Sequence, residues 1–189
     1  MLSSQENKSA IYLVVDLEWT CCNDDSIPNG EHETIEIGAV AVDCLGWNVI
    51  GEFDALVRPI RHPILTELCT TLTGIQQSDV DNANGFPEVF VEFWDWCCLH
   101  SNTLFCSWGR GDKKRFMDDC MFHKMDYPFT NHLDLSRVFT KMTGRRCIHR
   151  RAMKILGVEP EGKHHRGISD ARNIVKMLPI LLGKNGGVC

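Results

Sequence analysis

No stretch of the 189-residue chain approaches 18 uninterrupted apolar residues, so no segment is expected to cross a bilayer as a helix. Met1 to Ser9 is polar and puts no basic flank ahead of a long apolar run, which argues against a cleaved secretory leader. The 10 cysteines include no C-x2-C pair. Zinc ligation by cysteine is therefore disfavoured, and free thiols in a reducing, cytoplasmic compartment are expected instead of disulfides. No G-x-G-x-x-G follows the first apolar run, which disfavours a doubly wound dinucleotide binder. Positive charge is scarce in the first half: residues 1–100 hold 3 Lys or Arg against 17 Asp or Glu, whereas residues 101–189 hold 17 against 8. Such a split fits an acidic, cation-loaded cleft flanked by a basic surface, and equally an uneven scatter of surface charge.

What is present is enough for one ordinary domain, with 43% hydrophobic residues to build its core. We expect a polar tail over residues 1–10, a single folded unit over 11–183 and a short tail over 184–189. Ile11 to Leu17 is apolar and β-branched and predicts a buried central strand. Ile35 to Val42 and Trp47 to Val57 predict two more, paired antiparallel beside it across the turn near Gly46. Helices are expected from Pro63 to Leu72, capped by Thr66 and stopped at Gly74, and from Pro87 to Leu99, whose apolar residues nearly encircle it. A fourth strand, Thr103 to Ser107, leads to a helix over Asp112 to Lys124. Helical periodicity then returns over Leu133 to Met142, Ile148 to Leu156 and Ile168 to Leu182, with Pro179 as a kink or stop in the last. An α/β sheet with helical cover follows.

Asp16 and Glu18 end the first strand, where a period of two puts both carboxylates on one face and Leu17 on the other. Adjacent carboxylates in an apolar strand repel each other and lose solvation, a cost that a divalent cation offsets. Oxygen donors favour magnesium or manganese over zinc. Asp112 opens a helix after the fourth strand, either as its N-cap or as a further ligand. In HHRGISDARN His165 precedes Asp170 by five residues, and an imidazole there can take a proton from water; His164 is its rival, and a polar loop is the plain alternative. Trp19 is either a stacking platform for a terminal base or a wall residue. Arg145, Arg146, Arg150, Arg151, Lys163, Arg166 and Arg172 are phosphate-contact candidates or solvated surface, with Arg166, beside the histidines, the one singled out for substrate binding.

VVDLEWT, SWGRGDKKRF and HHRGISDARN together resemble the three sequence blocks of the DEDDh exonucleases, which have an RNase H-like fold. ETIEIGAV, RPIRHPILTELCTTLTGIQQSDVDNA and RRAMKILG are similar to the branch of enhanced-RNA-interference and histone-mRNA 3′ exonucleases. The resemblance runs over residues 11–182 and implies a mixed β-sheet flanked by helices. It implies Asp16, Glu18, Asp112 and Asp170 as ligands to two Mg2+ ions, for which Mn2+ can substitute, and the HRGISD spacer selects His165 as general base. Asp16, Glu18 and Asp170 would hold the ion that activates water, with Asp16 bridging to the second and Asp112 assisting it. The expected activity is 3′-to-5′ hydrolysis of single-stranded RNA or 3′ overhangs to nucleoside 5′-monophosphates, the alternatives being a DNA-preferring exonuclease or a non-catalytic nucleic-acid-binding scaffold. No protein partner is identifiable, a stand-alone monomer is expected, and weak dimerisation through residues 86–99 is the variant of that expectation. One departure stands out: Gly111 occupies the position before the third carboxylate where the family usually has a bulky side chain, which would loosen Asp112 or open the substrate groove.

Overall fold

The computed structural model describes residues 11–183; the tails expected over 1–10 and 184–189 lie outside the described residues. Five strands form one mixed sheet: β1 (Ile11–Trp19), β2 (Thr34–Asp43), β3 (Val49–Leu56), β4 (Thr103–Ser107) and β5 (His132–Asp134), in the order β3-β2-β1-β4-β5. β1 runs antiparallel to β2, and β2 antiparallel to β3, as expected. β1 is parallel to β4, and β4 to β5.

The period of two along β1 divides the molecule into layers. Tyr12 and Val14 face a core built with α5 (Leu135–Thr143), α6 (His149–Leu156), α7 (Gly167–Val175) and α8 (Leu178–Leu182). Leu13, Val15 and Leu17 face the opposite core, where Phe86, Phe90 and Phe93 of α3 (Phe86–Cys98) and Phe116 of α4 (Gly111–Phe122) pack. Asp16 and Glu18 thus continue the face that α7 covers. Two short helices, α1 (Glu67–Thr73) and α2 (Gln77–Asp81), close a third small cluster around Ile35 and Cys69. Among the described residues no helix is long and apolar enough to cross a membrane.

Several boundaries differ from the sequence reading for local reasons. Thr66 does cap α1, accepting the Cys69 N–H at 3.1 Å, and Gly74 stops it at φ 72°, but Pro63 to Leu65 stay outside the helix. α3 is not encircled by core: Phe86, Val89, Phe90, Phe93 and Cys97 are buried while Val91 and Trp94 are exposed. The final stripe is two helices, α7 and α8, with Pro179 at the start of the second. β5 precedes α5, whose cap is Asp134, accepting the Arg137 N–H at 2.9 Å.

Two glycines let α7 approach the sheet. A Cβ on Gly38 in β2 would collide with the Gly167 carbonyl, and one on Gly167 would stand 2.8 Å from the Asp16 carbonyl oxygen. Backbone-to-backbone contact at this point brings the first turn of α7, with Asp170 in it, against the end of β1.

Candidate active site

The parallel pairing of β1 with β4 stops at Val14 opposite Cys106, so the last residues of β1 have no strand on that side. A crevice at the carboxyl ends of neighbouring parallel strands is the usual place for a site in such sheets. The N-terminus of α4 fills part of it: Asp112 Oδ1 accepts the freed Leu17 N–H at 3.1 Å. Asp112 is therefore not the helix N-cap, a position held by Arg110; it sits inside the first turn. Nor does Gly111 loosen it. Asp112 is buried and anchored to the β1 backbone, and the space beside Gly111 is bounded by the Trp19 ring, 3.6 Å from where a Cβ would lie. The missing side chain widens the cavity and leaves the carboxylate in place.

That cavity has a volume of about 340 Å3, and Asp16, Glu18, Asp112, His165 and Asp170 all line it. Trp19, Leu72, Trp108 and Ile148 form an apolar wall. Trp19 is also packed against the aromatic core, so it is both a wall residue and a surface presented to the cavity. Trp108 is held by its Nε1–H, donated to the Cys147 carbonyl at 2.9 Å.

The electrostatics are those of anions forced together. Burial, then the charges of Asp112, Glu18 and Asp170, raise the Asp16 carboxyl well above its ordinary value. Burial and then Glu36, Asp170 and Asp112 push Glu18 up to about 8. Asp112 rises to about 6 through burial, held back by the Leu17 N–H. Asp170 goes the other way. Burial alone would raise it, but the His149 hydrogen bond and charge, the His165 N–H at 2.9 Å and the His164 charge carry it below the ordinary carboxylate range. Glu18, His165 and Asp170 offer ligand atoms that all lie within 4.8 Å of one another. Among the described residues lining the cavity no Lys or Arg is present; the groups able to carry positive charge are His149, His164 and His165. Oxygen donors in excess, with no resident cation, are the donor set of a hard divalent ion, so the residues fit the ions that the family resemblance implies.

His165 has a left-handed backbone, φ 58°, which turns its amide onto Asp170. Its ring stacks on His164 with centroids 3.8 Å apart. Burial and then the neighbouring His164 lower its pKa below that of a free imidazole, so it is neutral and can accept a proton near neutral pH.

Arg166 is the clearest departure from the sequence reading. Its guanidinium does not line this cavity: Nε and Nη2 grip Glu36 Oε1 at 3.0 and 2.8 Å, and the Gly167 N–H reaches Glu36 Oε2 at 2.8 Å. Glu36 is fully buried in β2, so a cation must pair with it. Arg166→Ala should lower stability by about 3 kcal/mol, the low end for breaking a buried pair because the arginine is partly exposed. Combining it with Glu36→Gln should recover most of that loss. Urea unfolding of the single and double variants measures both, and an unchanged midpoint for the single variant would return Arg166 to the substrate-contact candidates.

Residues that sequence reasoning missed are His149, Trp108 and Ile148. His149 Nε2 lies 3.1 Å from Asp170 Oδ1, across 21 residues and two helices. No spacing rule connects them; only the packing of α6 on α7 does.

The profile of the family described as Exonuclease, of RNase T type, matches residues 13–178. The Schizosaccharomyces pombe protein named 3′-5′ exonuclease eri1 is 31% identical over 97% of this chain and 72% of its own length. The Homo sapiens protein named 3′-5′ exoribonuclease 1 is 27% identical over 87% of this chain, which spans 50% of that relative. The solved nuclease domain of 3′hExo, described as a DEDDh family member bound to rAMP, superposes with a TM-score of 0.80 at 25% identity, covering 92% of this chain and 94% of that one. With profile, relatives and architecture in agreement over nearly the whole described chain, it belongs to the exonuclease family as a metal-dependent 3′-5′ exonuclease of the DEDDh group, related to the enhanced-RNA-interference and histone-mRNA branch.

Proposed function

We propose that this chain is an exoribonuclease that shortens single-stranded RNA or RNA 3′ overhangs from the 3′ end and releases nucleoside 5′-monophosphates. One observation carries the reading: four carboxylates and an imidazole, drawn from β1, α4, α7 and the loop before it, line one nucleotide-sized cavity. The RNA preference rests on relatives named exoribonucleases and on a similar nuclease domain solved with an adenosine ribonucleotide. Residues 11–183 form the catalytic unit in this reading, a cytoplasmic monomer without an assigned protein partner.

Asp16, Glu18, Asp112 and Asp170 would hold two Mg2+ ions, or Mn2+ in their place, which when bound lower the pKa of the attacking water and neutralise charge on the phosphoryl and leaving oxygens. The chain's own groups do the rest. Asp112, fixed by the Leu17 amide, and Asp170, fixed by the His165 amide, keep their carboxylates aimed at the cavity. His165, neutral beside His164, takes the proton of the attacking water. Trp19, with the other apolar lining residues, receives the terminal base, a contact that tolerates any base because stacking uses the ring face.

Matched RNA and DNA substrates with 3′ overhangs, incubated with the protein and Mg2+, test the reading. Stepwise loss from the RNA 3′ end with 5′-monophosphate products is expected, with DNA degraded more slowly and chelator stopping both. Internal cuts, or turnover that survives excess chelator, would sink it. His165→Ala should slow hydrolysis by about 10²-fold or more, the usual worth of a general base, with the melting temperature little changed. Full activity of that variant in single-turnover assays would remove His165 from its role.

A further inference from the structure

Asp170 is the meeting point of two groups of ligand atoms. One, with Glu18 and His165, opens on the catalytic cavity; the other consists of Asp170, His149 and His164. The second group has the donors of a different ion. His149 Nε2 stands 3.1 Å from Asp170 Oδ1, and His164 Nδ1 stands 3.2 Å from Asp170 Oδ2 and 3.3 Å from Oδ1. All three residues offer atoms within 4.8 Å of one another. Around a tetrahedral Zn2+ with bonds near 2.0–2.1 Å, neighbouring ligand atoms are about 3.3 Å apart. The contacts to Asp170 already have that spacing.

The surroundings suit an ion as well. His149, His164 and Asp170, which also line the catalytic cavity, border a second cavity of about 90 Å3, whose wall also carries Glu161 and Asn173. That volume holds an ion with one or two waters. His149 comes from the first residue of α6, His164 from the loop before α7 and Asp170 from α7 itself, so the donors converge from three directions. The imidazole rings meet edge to face with centroids 5.4 Å apart, which leaves their nitrogens free to point at one place. Two imidazoles and one carboxylate select borderline ions such as Zn2+ or Co2+ over Mg2+, which demands oxygen.

We infer that His149, His164 and Asp170 form a transition-metal site in the wall that the catalytic cavity shares with the smaller one, and that Zn2+ bound there draws Asp170 away from its catalytic position and inhibits hydrolysis. In the metal-free protein the same contacts are hydrogen bonds to the carboxylate; the ion takes the place of those protons. The inhibitory consequence rests on the exonuclease reading above, whereas the site itself does not.

Co2+ reports on the site without any nucleic acid, because nitrogen-bound, four-coordinate Co2+ absorbs visible light far more strongly than the six-coordinate ion among oxygen ligands. Titrating the wild-type protein with Co2+ in millimolar Mg2+ should develop that band and saturate at one ion per chain. The double variant His149→Gln, His164→Gln should weaken binding at least tenfold; Gln at 149 keeps an N–H for Asp170, and a thermal melt checks that the variant is folded. No band in the wild type, or the same titration in the variant, overturns the site. If the variant does not fold, anomalous scattering at the zinc edge from wild-type crystals grown with Zn2+ and Mg2+ decides: a peak against His149 and His164 supports it, and a peak only against Asp16 and Glu18 overturns it. In the RNA assay, micromolar Zn2+ should inhibit the wild type at fixed Mg2+ and lose at least tenfold in potency against the double variant. Equal potency against both overturns the inhibitory role, and a Co2+ band from a protein that degrades no RNA would fail the exonuclease reading while leaving the site intact.

Discussion

Asp16→Asn should lose Mg2+-supported hydrolysis by about 10³-fold or more and, without metal, should melt at a higher temperature than the wild type. The two halves share one cause. Charge neutralisation by a bound divalent ion is worth several kcal/mol at the transition state, and each ~1.4 kcal/mol is a factor of ten in rate. Asp16 is the carboxylate that senses Asp112, Glu18 and Asp170 together, so removing its charge spoils the cation site most. The same removal relieves repulsion that the metal-free fold otherwise bears, and Asn keeps the shape. Melts in chelator and in Mg2+, beside a single-turnover assay, give both readings. The wild type should be stabilised by Mg2+ and the variant much less. A variant that keeps its activity, or melts lower than the wild type in chelator, would mean that Asp16 is not at the centre of the cluster.

How much of this is legible in the sequence depends on how far apart the interacting residues lie. β1 and its acidic pair follow from seven residues with one period, and the structure keeps them on the face where α7 lands. Asp112 and Asp170 emerge through motif resemblance; no local rule says that they meet Asp16. Their meeting needs two contacts made late in the chain: the Leu17 amide with Asp112, 95 residues apart, and the Gly38–Gly167 approach. A cap role for Asp112 fails because the helix starts earlier, with Arg110 at its N-cap just after Gly109 at φ 100°. Arg166 misleads for a related reason. Its charge is visible, but its partner Glu36 is 130 residues away and looks like any strand glutamate until the fold buries it. β5 and α2, of three and five residues, are too short to carry a period.

In chelator, the wild-type protein should become less stable as pH rises from about 5 to about 8, the reverse of what paired surface carboxylates produce. Glu18 is raised to about 8, Asp112 to about 6 and Asp16 well above its ordinary value. Each of these groups holds its proton more tightly folded than unfolded. Their contribution is complete below the unfolded pKa and disappears as pH climbs through the folded one, each tenfold difference in proton affinity being worth about 1.4 kcal/mol. For the cluster the loss is on the order of several kcal/mol, less than a simple sum because the groups titrate together. Asp170, displaced downward, has the opposite sign, but its stabilisation is lost only below the ordinary carboxylate value, outside this window. A divalent ion replaces the missing protons, so the rise in melting temperature on adding Mg2+ should be small at pH 5 and large at pH 8. Asp119 separates the cluster from the rest of the fold. It is buried, raised to about 6 by desolvation against the Thr34 hydrogen bonds, and lies outside the cavity. Mg2+ cannot offset its share, nor that of Asp54, which burial and the Glu36 charge also raise to about 6 outside the cavity, so a small decline between pH 4 and 6 should persist with metal and shrink in Asp119→Asn. A chelator profile that is flat from pH 5 to 8 would mean that the carboxylates are not crowded in the free protein, and the case for a cation-binding cluster would lose its physical ground.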